Sequence, residues 1–466
     1  MLLKIIMISL DTTRADRLGC YGYSLPTTPY LDGIAANGVL FENAFASDIP
    51  TEVAHTSMFT GRVGLSTGVV SHGSSLSHLP KTVLWLPDIL RRAGYTTGAV
   101  DNMYQLKEWF ARGYQYYVNS VGQERFIDGR TVTDKAKAWI SQHRQEDFFL
   151  FLHYWDAHTP YLPPRKMVSM FYPLGKDPYD PTNRSMDQAY NHPAYPFFKY
   201  HHYDVLGPVT DANYVSALYD AELRYQDALL EELDAFLESQ GLASDTLLIL
   251  VGDHGESLTE HNIYWDHCGL YESTVHVPLV MRWPSHIPKG LRVPEFVSHV
   301  DLMPTILEAV GIEAPTGLDG QSLWPSIHGT DHQTRDALFL SECAWQATRA
   351  VRTHEFKLIR TWDSGVFVRD EVELYHLTED PKETKNLAGE LPGVTEELSL
   401  RLERWTDEIL QGRPDPMEEV LKQEGLPFRR RIGQILETVG WTWDEWMRHP
   451  DRQAFDEALA FKNARR

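Results

Sequence analysis

Thr246-Leu-Leu-Ile-Leu-Val-Gly-Asp-His-Gly255 is an apolar run of strand length that stops at a glycine and then presents a carboxylate and an imidazole. With no polar alternation, it reads as a strand covered on both faces, as in the interior of a parallel sheet. Two other stretches share its form. Ile5–Leu10 runs straight into Asp11, and Phe148–Tyr154 (FFLFLHY) runs into Trp155-Asp156-Ala157-His158. Thr96–Val100 adds a fourth strand, and helical stretches fall near Leu31–Asn37, Val83–Ala93, Arg130–His143 and Tyr214–Ser239. The last of these stops before Gly241, a usual helix terminator. This alternation predicts an α/β fold with a large, mostly parallel central sheet flanked by helices. Ligands of such folds bind past the carboxyl ends of the strands. Asp11, the segment His153 to His158, and Asp253-His254 all fall there.

Further along, the texture changes twice. Residues 165–212 are rich in Tyr, Pro, Asn and His without periodicity, and read as a long loop inserted over the strand ends. The main domain is expected to end near residue 335. Short strands at Leu338–Ser341, Arg349–Arg352, Lys357–Thr361 and Glu373–His376, then a helix at Val394–Leu410, predict a small C-terminal α+β domain over 336–411. Gly412-Arg-Pro-Asp-Pro416 then breaks the chain. The extension 412–466 carries Arg429-Arg-Arg431 and the tryptophans 441, 443 and 446. Exposed tryptophans would be costly, so the extension is expected to pack on its own chain or on a second copy, as a homo-oligomer contact.

Composition excludes several classes. The 466 residues hold 43 Lys plus Arg against 65 Asp plus Glu, a net charge of −22, which argues against nucleic acid as a partner. No apolar run approaches the ~20 residues of a membrane span. Lys4 precedes only a short apolar core with no small-residue cleavage site, so the first strand is not read as a signal peptide. Three cysteines (20, 268 and 343) make no CxxC pair and suggest a reducing, cytoplasmic setting.

Chemistry concentrates at Asp11, Asp253 and His254. Two carboxylates and an imidazole from distant strand ends suit a divalent cation, Mn or Zn rather than Ca. Spacing alone leaves open a plainer reading, with Asp11 as a cap and Asp253-His254 as a turn. Ile49-Pro-Thr51-Glu-Val-Ala-His55-Thr-Ser-Met-Phe-Thr-Gly-Arg62 tips the balance, because it resembles the signature of the sulfatases within the alkaline phosphatase superfamily. Asp11-Thr-Thr-Arg-Ala-Asp16, Asp156-Ala-His158-Thr-Pro-Tyr161, Gly252-Asp-His-Gly-Glu256, His267-Cys-Gly-Leu-Tyr-Glu272 and Glu373-Leu-Tyr-His-Leu377 resemble further motifs of that family, in order.

The resemblance implies an alkaline phosphatase-like fold, a metal held by Asp11, Asp253, His254 and Thr51, and Thr51 as nucleophile. His158 would serve the leaving oxygen. His55, His72, Asn102, Tyr104 and His267 would stand at positions that meet the transferred group. The departures are equally informative. Sulfatases of this family carry Cys or Ser, converted to formylglycine, where Thr51 stands here. Thr12 replaces a second metal-binding Asp, and the Gly-Lys-x-His pair becomes Asp101-Asn-Met-Tyr104.

A threonine ester must be broken by water at the central atom, which suits phosphorus. The expected function is therefore hydrolysis of phosphoric or phosphonic esters, as in phosphodiesterases and phosphonate monoester hydrolases, with one metal ion per chain and a small anionic ester as substrate. The alternatives are sulfuric ester hydrolysis, transfer of the group to an alcohol, and a non-catalytic binding protein on the same scaffold.

Overall fold

The structure, a computed structural model, describes residues 3–119, 127–284, 286–330 and 332–464. In chain order its strands are β1 (Lys4–Leu10), β2 (Val39–Phe45), β3 (Asp48–Ile49), β4 (Thr96–Val100), β5 (Tyr116–Val118), β6 (Phe148–Tyr154) and β7 (Thr246–Gly252). There follow β8 (Ser257–Leu258), β9 (Tyr264–Asp266), β10 (Leu279–Arg282), β11 (Leu291–Ser298), β12 (Ala337–Cys343), β13 (Ala347–Thr353), β14 (Phe356–Asp363) and β15 (Val372–His376).

Eight strands form the main sheet in the order β11-β2-β10-β7-β1-β6-β4-β5. The three continuous apolar runs lie at its centre, every residue of β1, β6 and β7 being buried. Helices such as Gly129–His143 and Ala212–Ser239 cover the sheet, so alternation with polar residues would leave polar groups facing a core. β10 alone runs antiparallel to its neighbours β7 and β2. In-register pairing brings Ser9 beside His153 and Val251, and Leu10 beside Tyr154 and Gly252. The strand ends that carry Asp11, His153 and Asp253 are therefore side by side.

A second sheet has the order β15-β14-β13-β12-β3. Its edge strand β3 comes from the first fifty residues, pairing Asp48 and Ile49 in parallel with Ser341 and Glu342. Thr51 follows β3 directly, so the C-terminal sheet helps to anchor that segment.

Residues 165–212 differ from their reading as a loop, and the extension packs on its own chain, the first of its two expected arrangements. Residues 165–212 contain the short helices Arg165–Val168, Asp187–Tyr190 and Tyr195–Phe198 and a π turn at Lys199–Tyr203. Tyr190, Tyr195, Phe197, Phe198 and Tyr203 are buried, so aromatic packing orders a segment that lacks helical periodicity. The extension folds as four helices, Pro416–Gln423, Pro427–Thr438, Trp443–Arg448 and Arg452–Ala464. It lies on its own chain: Trp446 is fully buried and donates through Nε1 to the Pro193 carbonyl at 2.8 Å. Among the described residues no helix is long and apolar enough to cross a membrane.

Candidate active site

The Thr51–Thr60 helix is buried along its whole length despite six polar side chains. Its hydroxyls are satisfied locally: Thr56 donates to the Glu52 carbonyl and Thr60 to the Thr56 carbonyl, each at 2.7 Å, while Ser57 donates to Asp48 at 2.8 Å. Gly61 ends the helix at φ +63°, where its N–H meets the Ser57 carbonyl at 2.9 Å. The first residue, Thr51, is thereby held with the positive end of the helix at the edge of the main sheet.

Thr51 Oγ1 lies 3.1 Å from Nε2 of His254. That imidazole is oriented from behind, because its Nδ1–H donates to the Gly255 carbonyl at 3.1 Å and leaves Nε2 with a lone pair. Asp253 uses Oδ1 to accept from the backbone N–H groups of His254 (2.8 Å) and Thr12 (3.1 Å). Thr12 sits at φ +51°, a conformation that costs a β-branched residue on the order of 1–2 kcal/mol. Its N–H bond to Asp253 and the Tyr219 hydroxyl donating to its carbonyl at 2.7 Å hold it there.

Behind this group, His153 bridges Asp11 (Nε2 to Oδ2, 3.0 Å) and Asp101 (Nδ1 to Oδ1, 3.1 Å), all three fully buried. Burial alone would discharge His153, but its two carboxylate partners raise it to about 10, so it is an imidazolium. The same contact outweighs burial to hold Asp101 below the usual carboxylate range. Asp11 is pushed up, by burial and then by repulsion from Asp253. Asp253 is held low against its burial by His254, His55 and His153.

The residues fit a divalent cation. Asp11 Oδ1 and Asp253 Oδ2 are buried without a hydrogen-bond partner. Asp11, Asp253 and His254 offer ligand atoms within 4.8 Å of one another. Three buried carboxylates against one imidazolium leave two negative charges, the excess a divalent ion removes. His55, His153 and Asp253 also cluster. There the rings are already engaged: His55 Nδ1–H donates to the Thr51 carbonyl and its Nε2 accepts from Ser9 Oγ, both at 2.8 Å. Burial and His153 push His55 down to about 3, so it is neutral and fits that pattern.

A cavity of 640 Å³ opens from Thr51 and is lined by His72, Asn102, Trp155, His158 and His267 among others. The His267 ring stacks on His254 with centroids 4.6 Å apart, and His158 lies 4.9 Å from His267. Two sequence expectations are corrected. His55 lies beneath the site, walled in by Phe110 and Phe151, and does not line the cavity. Tyr104 is 42% exposed, turns its ring edge to Tyr117 at 5.8 Å, and lines no part of the cavity. Sequence reading missed that Asp101 and His153 complete the charge balance; β6 placed His153 correctly, but its inward face looks like ordinary packing. It also missed Arg430 and Arg431, which reach the cavity from the extension and carry no motif.

The sulfatase family profile matches residues 4–312, and that of the N-sulphoglucosamine sulphohydrolase C-terminal region matches 259–408. An N-acetylglucosamine-6-O-sulfatase of Bacteroides thetaiotaomicron is 23% identical over 504 residues, covering 90% of this chain and 88% of its own. Arylsulfatase K of Mus musculus is 27% identical over 496 residues, covering 96% and 87%. The phosphonate monoester hydrolase of Agrobacterium radiobacter shares the fold, with a TM-score of 0.69 at 22% identity over 87% of this chain and 96% of that one.

The curated relatives overturn the expectation of a phosphoric or phosphonic ester hydrolase and favour the sulfatase alternative. The reason is physical. Threonine dictates how a covalent intermediate must break, but sulfur and phosphorus are both tetrahedral centres approached in line, so the residue type alone does not choose between them. With a family profile spanning more than half of its length, this chain belongs to the sulfatase family.

Proposed function

We propose that this protein is a metal-dependent sulfuric ester hydrolase that uses Thr51 as nucleophile. The observation that supports it most is the buried contact of Thr51 Oγ1 with His254, beside two carboxylate oxygens that have no hydrogen-bond partner. Asp11, Asp253 and His254 would hold one divalent ion, Mn or Zn by the mixed carboxylate–imidazole set. Such an ion supplies positive charge that lowers the proton affinity of a nearby hydroxyl and stabilises charge on the transferred group.

Thr51 Oγ1, its proton released to water, attacks sulfur in line as the ester oxygen departs. His158 gives that oxygen a proton, and His267 and Asn102 donate hydrogen bonds to the sulfuryl oxygens. Water then attacks the same sulfur, releasing sulfate and restoring Thr51. His153 contributes by neutralising Asp101 and fixing Asp11. The names of the relatives support a sulfated carbohydrate or an aryl sulfate as the substrate class.

The test is turnover of para-nitrophenyl sulfate beside an aryl phosphodiester, using metal-replete protein. Sulfate ester hydrolysis is expected to dominate. Thr51→Ala is expected to lower kcat by at least about 10³-fold with metal content unchanged. Preferential phosphodiester turnover would sink the sulfuric ester reading, and undiminished Thr51→Ala activity would sink the nucleophile.

A further inference from the structure

The Pro427–Thr438 helix lies beyond both family profiles, yet Pro427, Phe428, Arg430, Arg431 and Gln434 line the same 640 Å³ cavity as Thr51. Among the described lining residues the acidic groups are Glu52 and Asp266, and every arginine or lysine comes from this helix. The fixed positive charge of the pocket is therefore supplied by the extension.

The three consecutive arginines have different surroundings. Arg429 lies 3.7 Å from Asp363 and its guanidinium is 5.0 Å from the Trp443 ring. Arg430 pairs with Glu424 at 3.3 Å and donates to the Glu424 carbonyl at 3.2 Å. Arg431 has no carboxylate within ion-pair distance among the described residues. Its guanidinium is positioned by the face of Phe197, 5.1 Å from the ring centroid.

The mount beneath it is an aromatic cluster. Trp345, on the C-terminal sheet's β12–β13 turn, is stacked on one side by Phe428 (4.4 Å, 6°) and on another by Phe198 of the insertion (5.6 Å, 14°). Phe197 meets both Trp345 and Phe428 edge-on, at 5.3 and 5.2 Å. Three segments far apart in sequence thus lock together, and Arg431 projects from the lock into the cavity rim.

We propose that Arg431 is a specificity-determining residue that recognises a second anionic group, a carboxylate or a second sulfate, on the part of the substrate that does not react. This deepens the sulfuric ester reading and rests on it for the identity of the reacting group. A guanidinium without a carboxylate partner among the described residues, backed by an aromatic ring and facing a ligand pocket, suits a planar or tetrahedral oxyanion. The substrate class is then a sulfate ester that carries two negative groups, the first at Thr51 and the second at Arg431.

The test reads binding without turnover, so that it stands apart from the hydrolysis reading. Benzenesulfonate, a sulfobenzoate and a naphthalenedisulfonate are titrated calorimetrically into metal-loaded wild type, Arg431→Ala and Arg431→Glu. The wild type is expected to bind at least one dianionic ligand about tenfold tighter than benzenesulfonate, the strength of a partly exposed charged hydrogen bond. The sulfobenzoate and disulfonate arms tell carboxylate from sulfate recognition. Arg431→Ala should bring that ligand to parity with benzenesulfonate, and Arg431→Glu should make it the weaker binder. Equal affinities in the wild type, a preference that survives Arg431→Ala, or no binding of any ligand would overturn the proposal. Because Arg431 is exposed, the variants are expected to melt with the wild type. Failure of sulfate ester turnover, by contrast, would refute the hydrolysis reading while leaving this measurement intact.

Discussion

The two ends of the cavity are built on opposite principles. Beneath its inner end, behind Thr51, Asp11, Asp101, His153, Asp253 and His254 come from neighbouring strand ends of one sheet, are fully buried, and leave an excess of negative charge. At the rim, the insertion, the C-terminal sheet and the extension meet through aromatic stacking and bring exposed positive charge. The inner end is set by a pairing register that cannot slip without dragging three strands. The rim depends on side-chain contacts between segments that are free to change independently. On the proposed reading, chemistry is fixed where the backbone is fixed, and selectivity falls to parts that the sheet does not constrain.

The sharpest way to break this contrast is Asp253→Asn. It removes one of the two unpartnered carboxylate oxygens while keeping the acceptor to Thr12 and His254, so the fold is expected to survive. Metal content should drop, and kcat should fall by about 10⁴-fold, as for other members of an active site that work as a unit. Metal analysis beside turnover checks it, and full metal occupancy in the variant would count against the cage.

Where the extension joins the C-terminal sheet, Arg349 on β13 clasps Asp415, the N-cap of the Pro416–Gln423 helix, through two bonds of 2.6 and 2.7 Å. Arg349→Ala leaves Asp415 half of its pair and should cost about 3 kcal/mol, seen in denaturant unfolding. It should also loosen the extension, raising KM more than it lowers kcat. An equal loss in both would show that the two ends are not separable.

A smaller effect is expected for His153→Gln, which keeps hydrogen-bonding groups but deletes the cation between Asp11 and Asp101. Metal affinity, measured by competition with a chelator, should change by about 10–100-fold. A change below twofold would mean that His153 only fills space.

The smallest concerns Glu342 at the joint between the two sheets, next to β3. Burial raises its carboxyl from 4.5 to about 7, while the Gly269 N–H donating at 2.8 Å opposes this. The folded state therefore binds the proton more tightly than the unfolded one. Its contribution is present in full below about pH 4.5 and is lost as pH rises through about 7. Glu342→Gln should flatten that part of the stability–pH curve, read from melting temperatures across the interval. An unchanged slope would assign it to other groups.

Much of the inner end was legible because apolar runs ending in Asp or Asp-His define both the strand and its catalytic edge. β4 and β6 coincide with their predicted bounds, and the predicted helices fall within a few residues of those observed. β2, β10 and β11 were not anticipated, because β2 and β11 mix polar and apolar residues without a clear period and β10 is short and runs against the rest. Tyr104 and His55 show the limit of spacing: both fall at positions suggested by motif, yet one is exposed and the other lies under Thr51. The rim was hardest to read, since its contacts join residues 197, 345 and 428 and no local pattern links them.

The order of polar and apolar residues was thus enough to determine the central strands of the sheet and the edge where their carboxylates gather, because burial of continuous strands leaves few alternatives. Only the tertiary structure decided which imidazoles face the cavity, how the buried charges balance, and that the last helices supply its positive rim. Those outcomes depend on distances between side chains remote along the chain, which local pattern does not encode.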